Sequence, residues 1–301
     1  MNIKLLSVIA KILKRLPLLN KVAYRFNVIR HNLVLRKLNK KYKGLINEYK
    51  QENKFLAGDN DTVWVFWWQG IDSAPKIVKS CVRSIERHLP QGKKLVIIDK
   101  YNLRDYTDIS SHIYIKLDSG VITYTHFSDI VRFNLLKNHG GLWIDATVYL
   151  VHDLSAEYFE DHIFTNGPFN DEQYFNVANG QWSGFFFGGP SKNELFNFMD
   201  AFFDTYWKNE TKLIDYFLID YLLAIASENN IGGFKEYLKR KKPRNIGIFM
   251  LEVVLNNSFD SLNYQKMINN NDAFKLNYKK SYRLINKGIE TFYGKVIDNE
   301  I

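Results

Sequence analysis

The sequence predicts an α/β protein: a mainly parallel sheet flanked by helices, preceded by a basic helical arm and carrying helical additions. Three observations lead there. Residues 62–68, TVWVFWW, are β-branched and aromatic throughout, as in a strand buried on both faces. A helical segment and a second short apolar run, 94–98, follow, and a strand, helix, strand order belongs to sheets covered by helices. Charge is segregated as well: residues 1–54 hold 14 Lys and Arg against 2 Glu, a net of +12, and the other residues carry a net of −3.

The basic segment sets the first boundary. In residues 3–16, IKLLSVIAKILKRL, the apolar side chains Ile3, Leu5, Leu6, Ile9, Ile12, Leu13 and Leu16 fall mainly on one helical side, with Lys4, Lys11, Lys14 and Arg15 around them. Lys4 and Lys11 confine the uncharged run to Leu5–Ala10, too short to span a bilayer and a poor secretory signal core. Two readings fit. One is an interfacial helix on an anionic membrane surface, engaged by residues 1–54, which places the protein on the cytoplasmic face of the cell membrane. The other is an amphipathic cap packed on the body, and the two are compatible. Residues 22–50 continue as helix, and the turn cluster Gly58-Asp59-Asn60-Asp61 divides an arm, 1–58, from a body, 59–301.

Within the body, Gln69-Gly70 ends the first strand and Pro75 opens a helix that runs to about His88. Lys94–Ile98 reads as the second strand, and HIYIKL over 112–117 as a third. Residues 126–139 have helical spacing through Phe127, Ile130, Val131 and Leu135, and Gly140-Gly141 closes that helix. Leu142-Trp143-Ile144 then forms a buried-looking strand that Asp145 ends, and clefts beyond strand carboxyl ends are where open α/β sheets bind ligands. A carboxylate set into such a run costs roughly several kcal/mol to bury unless it has a partner. Downstream, 185–187 suits a strand, Ser191 to Trp207 a helix, and 211–228 a strongly apolar helix interrupted by Asp215 and Asp220. The Asn- and Lys-rich last third carries the least signal.

Composition narrows the chemistry. The single cysteine, Cys81, excludes an intrachain disulfide and a Cys-rich zinc cluster, and fits a reducing cytoplasm. With no helix-turn-helix, zinc finger or RNP-type strand and a slightly acidic body, nucleic acid is not an expected partner. There is no G-x-G-x-x-G, no P-loop, no G-x-S-x-G and no H-E-x-x-H, so phosphate binding would rest on a metal ion and basic side chains. The 15% aromatic share serves a core and could also serve sugar or base stacking.

Ser128-Asp129-x-x-Arg132 followed by Gly140-Gly141-x-x-x-Asp145-x-Thr147 resembles the SD-x-x-R … GG-x-[YW]-x-D-x-[DT] signature of a glycosyltransferase superfamily. Its members include bacterial capsular polysaccharide synthesis proteins, yeast-type initiating mannosyltransferases and, more distantly, the large clostridial glucosylating toxins. The resemblance is closest to the capsular branch and spans roughly 62–230. Val65-Phe66-Trp67-Trp68-Gln69-Gly70 is similar to the opening [IV]-W-x-x-G segment, Ala74-Pro75 through Cys81 and Asp215-Tyr216-Phe217 continue the pattern, and Lys275–Lys279 is an isolated echo of it.

The resemblance implies a GT-A-like domain that moves a sugar from a nucleotide-sugar donor to a polysaccharide or lipid-linked oligosaccharide acceptor, with retention. It implies that Asp129 and Arg132, with Ser128, hold the donor, against a plain helix ion pair; that Trp67 or alternatively Trp68 lies near the base, against a core role for both; and that Lys275 could meet the diphosphate, against an ordinary solvated strand. The leaving diphosphate needs positive charge, and Asp145 is the candidate ligand for a Mn²⁺ or Mg²⁺ ion. Where related families place a second metal-binding aspartate this chain has Thr147, which leaves metal dependence open. Trp182 and Asp215 are acceptor-side candidates, each with a core or capping alternative. A different class of function, a noncatalytic membrane-bound scaffold of a polysaccharide assembly complex, would bind no nucleotide.

Overall fold

The computed structural model describes residues 3–50, 58–298 and 301; residues 51–57, at the expected junction of arm and body, lie outside the described residues. The arm supplies helices α1 (Ile3–Leu13), α2 (Asn20–Lys41) and α3 (Lys43–Tyr49). The body begins with β1 (Thr62–Phe66), α4 (Lys76–Arg87), β2 (Lys94–Ile98), α5 (Leu103–Tyr106), α6 (Ser111–Asp118), α7 (Tyr124–His139), β3 (Gly141–Ile144) and β4 (Val148–Leu150). It continues through α8 (Glu157–Glu160), β5 (Phe164–Thr165), β6 (Phe186–Gly189), α9 (Glu194–Asn209) and α10 (Leu218–Glu228), and later β7 (Ala273–Lys275).

Five strands form the central sheet in the order β2-β1-β3-β6-β5. β1 pairs in parallel with β2 and β3, while β6 is antiparallel to both β3 and β5, so four strands share one direction. Alternation along the strands explains why the sequence could spell out this sheet. Trp64 and Phe66 of β1, Trp143 of β3 and Phe187 of β6 enter the core on one face, with α7, α9 and α10. Val63, Val65, Leu142, Ile144 and Phe186 enter the core on the other face, with α4. Both sides of these strands are apolar because both sides are covered. Cys81 lies in the second core, where burial pushes its thiol up to about 12, so it acts as a small apolar side chain.

Gly140 and Gly141 make the return from α7 to β3 possible. Their φ values are +64° and +100°, and a Cβ on either would collide with backbone of Asp59 or Thr62. Trp64 Nε1 donates to the Gly140 carbonyl at 2.8 Å and locks the corner to β1.

Two expected elements are different. Residues 112–117 form the helix α6 rather than a strand. Ile113 and Leu117, four apart, are buried while Ile115 is exposed, and Lys116 Nζ donates to backbone carbonyls of Trp207 and Glu210 at the end of α9. A run alternating Ile, Tyr, Ile, Lys and Leu satisfies either period over six residues, and packing against α9 decides between them. The helix expected over 211–228 starts only at Leu218, which leaves Asp215 in the loop before it.

The arm packs on the body. α2 buries Ala23, Asn27, Arg30, His31, Val34, Leu35 and Leu38, and Arg30 Nη2 donates to the Phe175 carbonyl at 2.7 Å. His31 Nδ1 lies 2.8 Å from the Tyr221 hydroxyl; burial, then the Arg30 charge, lower its pKa to about 4. In α1 the apolar residues split into two lines instead of the single stripe expected. Leu6 and Ala10 face inward, whereas Leu5, Val8, Ile12 and the following Leu16 are exposed beside Lys11, Lys14 and Arg15.

Candidate active site

After β1 the chain goes to β2 on one side and later returns to β3 on the other, so the carboxyl ends of β1 and β3 flank a topological switch point, where α/β sheets open a crevice. A cleft of about 960 Å³ lies there, with Trp67, Asp129, Arg132, Asp145, Thr147 and Trp182 among its lining residues. That volume suits a nucleotide-sized ligand.

Three charged side chains that line the cleft, Asp129, Arg132 and Asp145, form a network with a fourth, Lys275, which bonds to Asp145 and Thr147. Arg132, 4% exposed, donates from Nη1 to Asp129 Oδ1 at 2.8 Å and from Nη2 to Asp145 Oδ1 at 3.1 Å. Its guanidinium lies 4.8 Å from the centroid of the Trp143 ring, whose Nε1 donates to the same Asp145 oxygen at 2.7 Å. Lys275 Nζ donates to Asp145 Oδ2 and to Thr147 Oγ1, both at 2.6 Å. Burial alone would raise the Asp145 pKa. The Lys275 ammonium and the Arg132 guanidinium outweigh it and hold the carboxyl below the usual carboxylate range.

Local structure explains each placement. Thr123 caps α7 by accepting from the His126 N–H, and Asp129 and Arg132 follow one turn apart on the same face. The Asp145 N–H donates to the Phe185 carbonyl, and the Val148 N–H closes a turn on Asp145. That turn brings the side chains of Asp145 and Thr147 to the cleft. β4 pairs antiparallel with β7, Val148 opposite Lys275, and thereby delivers the lysine from far along the chain.

A family model described as capsular polysaccharide synthesis protein matches residues 17–296. The chain belongs to that family. No curated protein matches it. For a capsular polysaccharide synthesis protein, the positions of the expected site residues can be compared one by one.

Trp67 and Trp68 both line the cleft at the end of β1; the Trp67 ring meets Tyr278 edge on at 5.1 Å and Trp68 stacks on Tyr124 at 5.3 Å. Ser128 lines it as well. Trp182 borders it but is only 6% exposed, with its indole N–H donated to Asp220 at 3.0 Å. Asp215 is not brought to the cleft: it is buried, accepting from Ser7 Oγ of α1 at 2.7 Å and from the Phe217 N–H at 3.0 Å. It ties the arm to the loop before α10.

The structure also brings in residues to which the sequence attached no role. Asp220 lines the cleft with no cation bonded to it among the described residues; burial, opposed by the Trp182 hydrogen bond and assisted by the Asp129 charge, raises its pKa to about 7. Its signal was present, since it breaks the apolar run of α10 just as Asp145 breaks that of β3. His126 lies behind Asp129. Its Nε2 accepts from the Trp207 indole at 2.9 Å, so the ring proton sits on Nδ1, 3.6 Å from Asp129 Oδ2. His126 Nδ1, Arg132 Nε and Ser183 Oγ are buried polar atoms without a hydrogen-bond partner among the described residues, and all three belong to residues lining the cleft. Unsatisfied groups of this kind are rare in interiors; Asn27 Oδ1, Arg30 Nε and Asn60 Oδ1, away from the cleft, are others among the described residues.

The donor set at Asp145 does not fit a resident Mn²⁺ or Mg²⁺ ion. Such an ion is held by one or two carboxylates, with water and substrate phosphates completing about six oxygens, and needs a free carboxylate oxygen. Here one carboxylate and one hydroxyl converge, and an ammonium already bridges them. Among the described residues no group of three His, Cys, Asp or Glu side chains is arranged to hold a metal.

Proposed function

We propose that this chain is a glycosyltransferase acting at the β1/β3 cleft. It would move a sugar from a nucleoside-diphosphate sugar to a polysaccharide or lipid-linked acceptor in capsule synthesis. The observation that carries the reading is the Asp129–Arg132–Asp145–Lys275 network at the strand ends, with two tryptophans beside it. Alternating charges suit a substrate that has hydroxyls at one end and a diphosphate at the other. In the reaction the acceptor hydroxyl oxygen bonds to the anomeric carbon, the carbon–oxygen bond to the diphosphate breaks, and the hydroxyl proton passes to the departing phosphate. Asp129, held by Arg132, accepts from donor hydroxyls, while the guanidinium meets phosphate oxygens. Charge developing on the leaving group is met by preorganised cations. No carboxylate here is assigned as a covalent nucleophile, so attack on the face the leaving group departs from, with retention, is the expected course.

The arm supports a location for the same reading. The outward line Leu5, Val8, Ile12 and Leu16, set among lysines and arginines, suits the surface of an anionic bilayer, and no described helix is long and apolar enough to cross one. Lys14 lines the cleft, so a membrane-lying α1 would hold the cleft close to a lipid-linked acceptor.

The test is a panel of UDP-, GDP- and dTDP-sugars assayed for hydrolysis and transfer with the purified chain. Turnover of at least one donor that is lost in Arg132→Ala is expected. A folded protein that neither binds nor turns over any of them would leave the scaffold reading in its place.

A further inference from the structure

Lys275 lies far from the motif in sequence yet is among its most closely bonded members. Its backbone is fixed on both sides: the Lys275 N–H donates to the Ile248 carbonyl at 2.7 Å and the Leu276 N–H to the Thr147 carbonyl at 2.8 Å. Its Nζ sits 4.9 Å from the centroid of the Phe185 ring and reaches Asp145 and Thr147 together. A lysine ammonium has three N–H donors, and these two bonds leave one without an acceptor among the described residues.

That nitrogen lies 2.6 Å from Asp145 Oδ2 and from Thr147 Oγ1, two residues that line the cleft, so it stands where a cation bound to this carboxylate would. Both oxygens of Asp145 are already engaged, Oδ1 by Arg132 and Trp143 and Oδ2 by Lys275. A divalent ion on Oδ2 would lie in near contact with the ammonium and be repelled by it. Thr147 matters for the same reason. A carboxylate there would add a negative charge and favour a divalent ion, whereas a hydroxyl leaves Asp145 and Lys275 balanced and the lysine in place.

We propose that the Lys275 ammonium, oriented by Asp145 and Thr147, is the built-in cation that meets the donor diphosphate, and that this site binds nucleoside diphosphates without a metal ion. The proposal rests on the nucleotide-sugar reading above. Covalent chemistry is unchanged by it: the ammonium donates a hydrogen bond to the leaving phosphate and keeps its proton.

Calorimetric titration of the full chain with UDP, GDP and dTDP, in EDTA and in Mn²⁺, separates the two ideas. Expected is binding of at least one of them with affinities in EDTA and in Mn²⁺ that agree within about threefold. Lys275→Met should weaken that binding at least about tenfold in EDTA, and Lys275→Arg should keep most of it. Binding by the wild type that disappears in EDTA and returns with Mn²⁺ would overturn the lysine's role while leaving the glycosyltransferase reading intact. So would wild-type affinity in a folded Lys275→Met. Failure of all three nucleotides under both conditions removes the nucleotide-sugar reading and this proposal with it. Should Lys275→Met not fold, the EDTA comparison on the wild type still decides.

Discussion

Replacing Arg132 by lysine keeps the charge and removes the fork, so it isolates what the guanidinium geometry contributes. In the native site two different nitrogens serve two different carboxylates, Nη1 to Asp129 at 2.8 Å and Nη2 to Asp145 at 3.1 Å. A single ammonium on a shorter stem can serve one of them well. The other carboxylate then loses a charge-assisted hydrogen bond, a loss of about 2 kcal/mol in stability. For a chain of this size that lowers the melting temperature by about 3 °C. Asp145 keeps Lys275 and Trp143, whereas among the described residues Asp129 has only the more distant His126 as a second partner, so the ammonium should stay with Asp129. The donor then loses the guanidinium contact proposed for its phosphate, and turnover should fall at least about tenfold. A thermal melt of Arg132→Lys, with donor turnover beside it, measures both. A double-mutant cycle with Asp129→Asn should give a coupling of about 1 kcal/mol or more. Wild-type melting and turnover in Arg132→Lys would reduce Arg132 to an interchangeable ion-pair partner and remove the reasoning built on it.

Three further outcomes follow from the same geometry. Asp145→Asn leaves the size of the side chain but strands two cations, so donor turnover should fall at least about 100-fold in a protein that still folds, while Thr147→Asn should cost less; full turnover in Asp145→Asn removes that carboxylate from the mechanism. Asp220 has a raised folded pKa of about 7, so the folded protein holds a proton that the unfolded chain releases, and stability declines as pH rises from about 4 to 7 and is level above. Asp220→Asn should therefore stabilise the protein at pH 8, by on the order of 2 kcal/mol, and change little at pH 4; equal denaturant midpoints at pH 8 would refute this. Substituting Leu5, Val8, Ile12 and Leu16 together by glutamine should reduce sedimentation with phosphatidylglycerol vesicles roughly tenfold or more without altering the melt, because these side chains are already exposed; unchanged vesicle binding would reject the membrane role.

What could be read from the sequence, and what could not, divides along physical lines. β1 and β3 were legible because strands covered on both faces need apolar residues at every position, and few other structures do. Asp129, Arg132 and Asp145 were legible because they are close in sequence and the glycine corner folds their elements together. Residues 112–117 were misread since six residues are too few to separate a period of 2 from one of 3.6, and the deciding contacts lie on α9, some 90 residues away. Asp215 and Asp220 looked alike as carboxylates in an apolar stretch. Only the start of α10 at Leu218 separates them, one turned under the arm and the other into the cleft. The bonding of Lys275 depends on a strand pairing across the molecule that no local pattern announces.

That pairing also imposes an order in time. Asp145 and Lys275 are 130 residues apart, so a ribosome finishes the carboxylate and its arginine well before it adds the lysine. At ordinary elongation rates the interval is on the order of ten seconds. During it the nascent chain can assemble β1, β3 and the helix that carries Arg132. The anion-receiving side of the cleft still lacks its second cation. Only when β7 docks against β4 does the growing chain hold a charge-complete site, so a truncated product, however well its sheet has formed, carries an aspartate with one of its two oxygens unanswered.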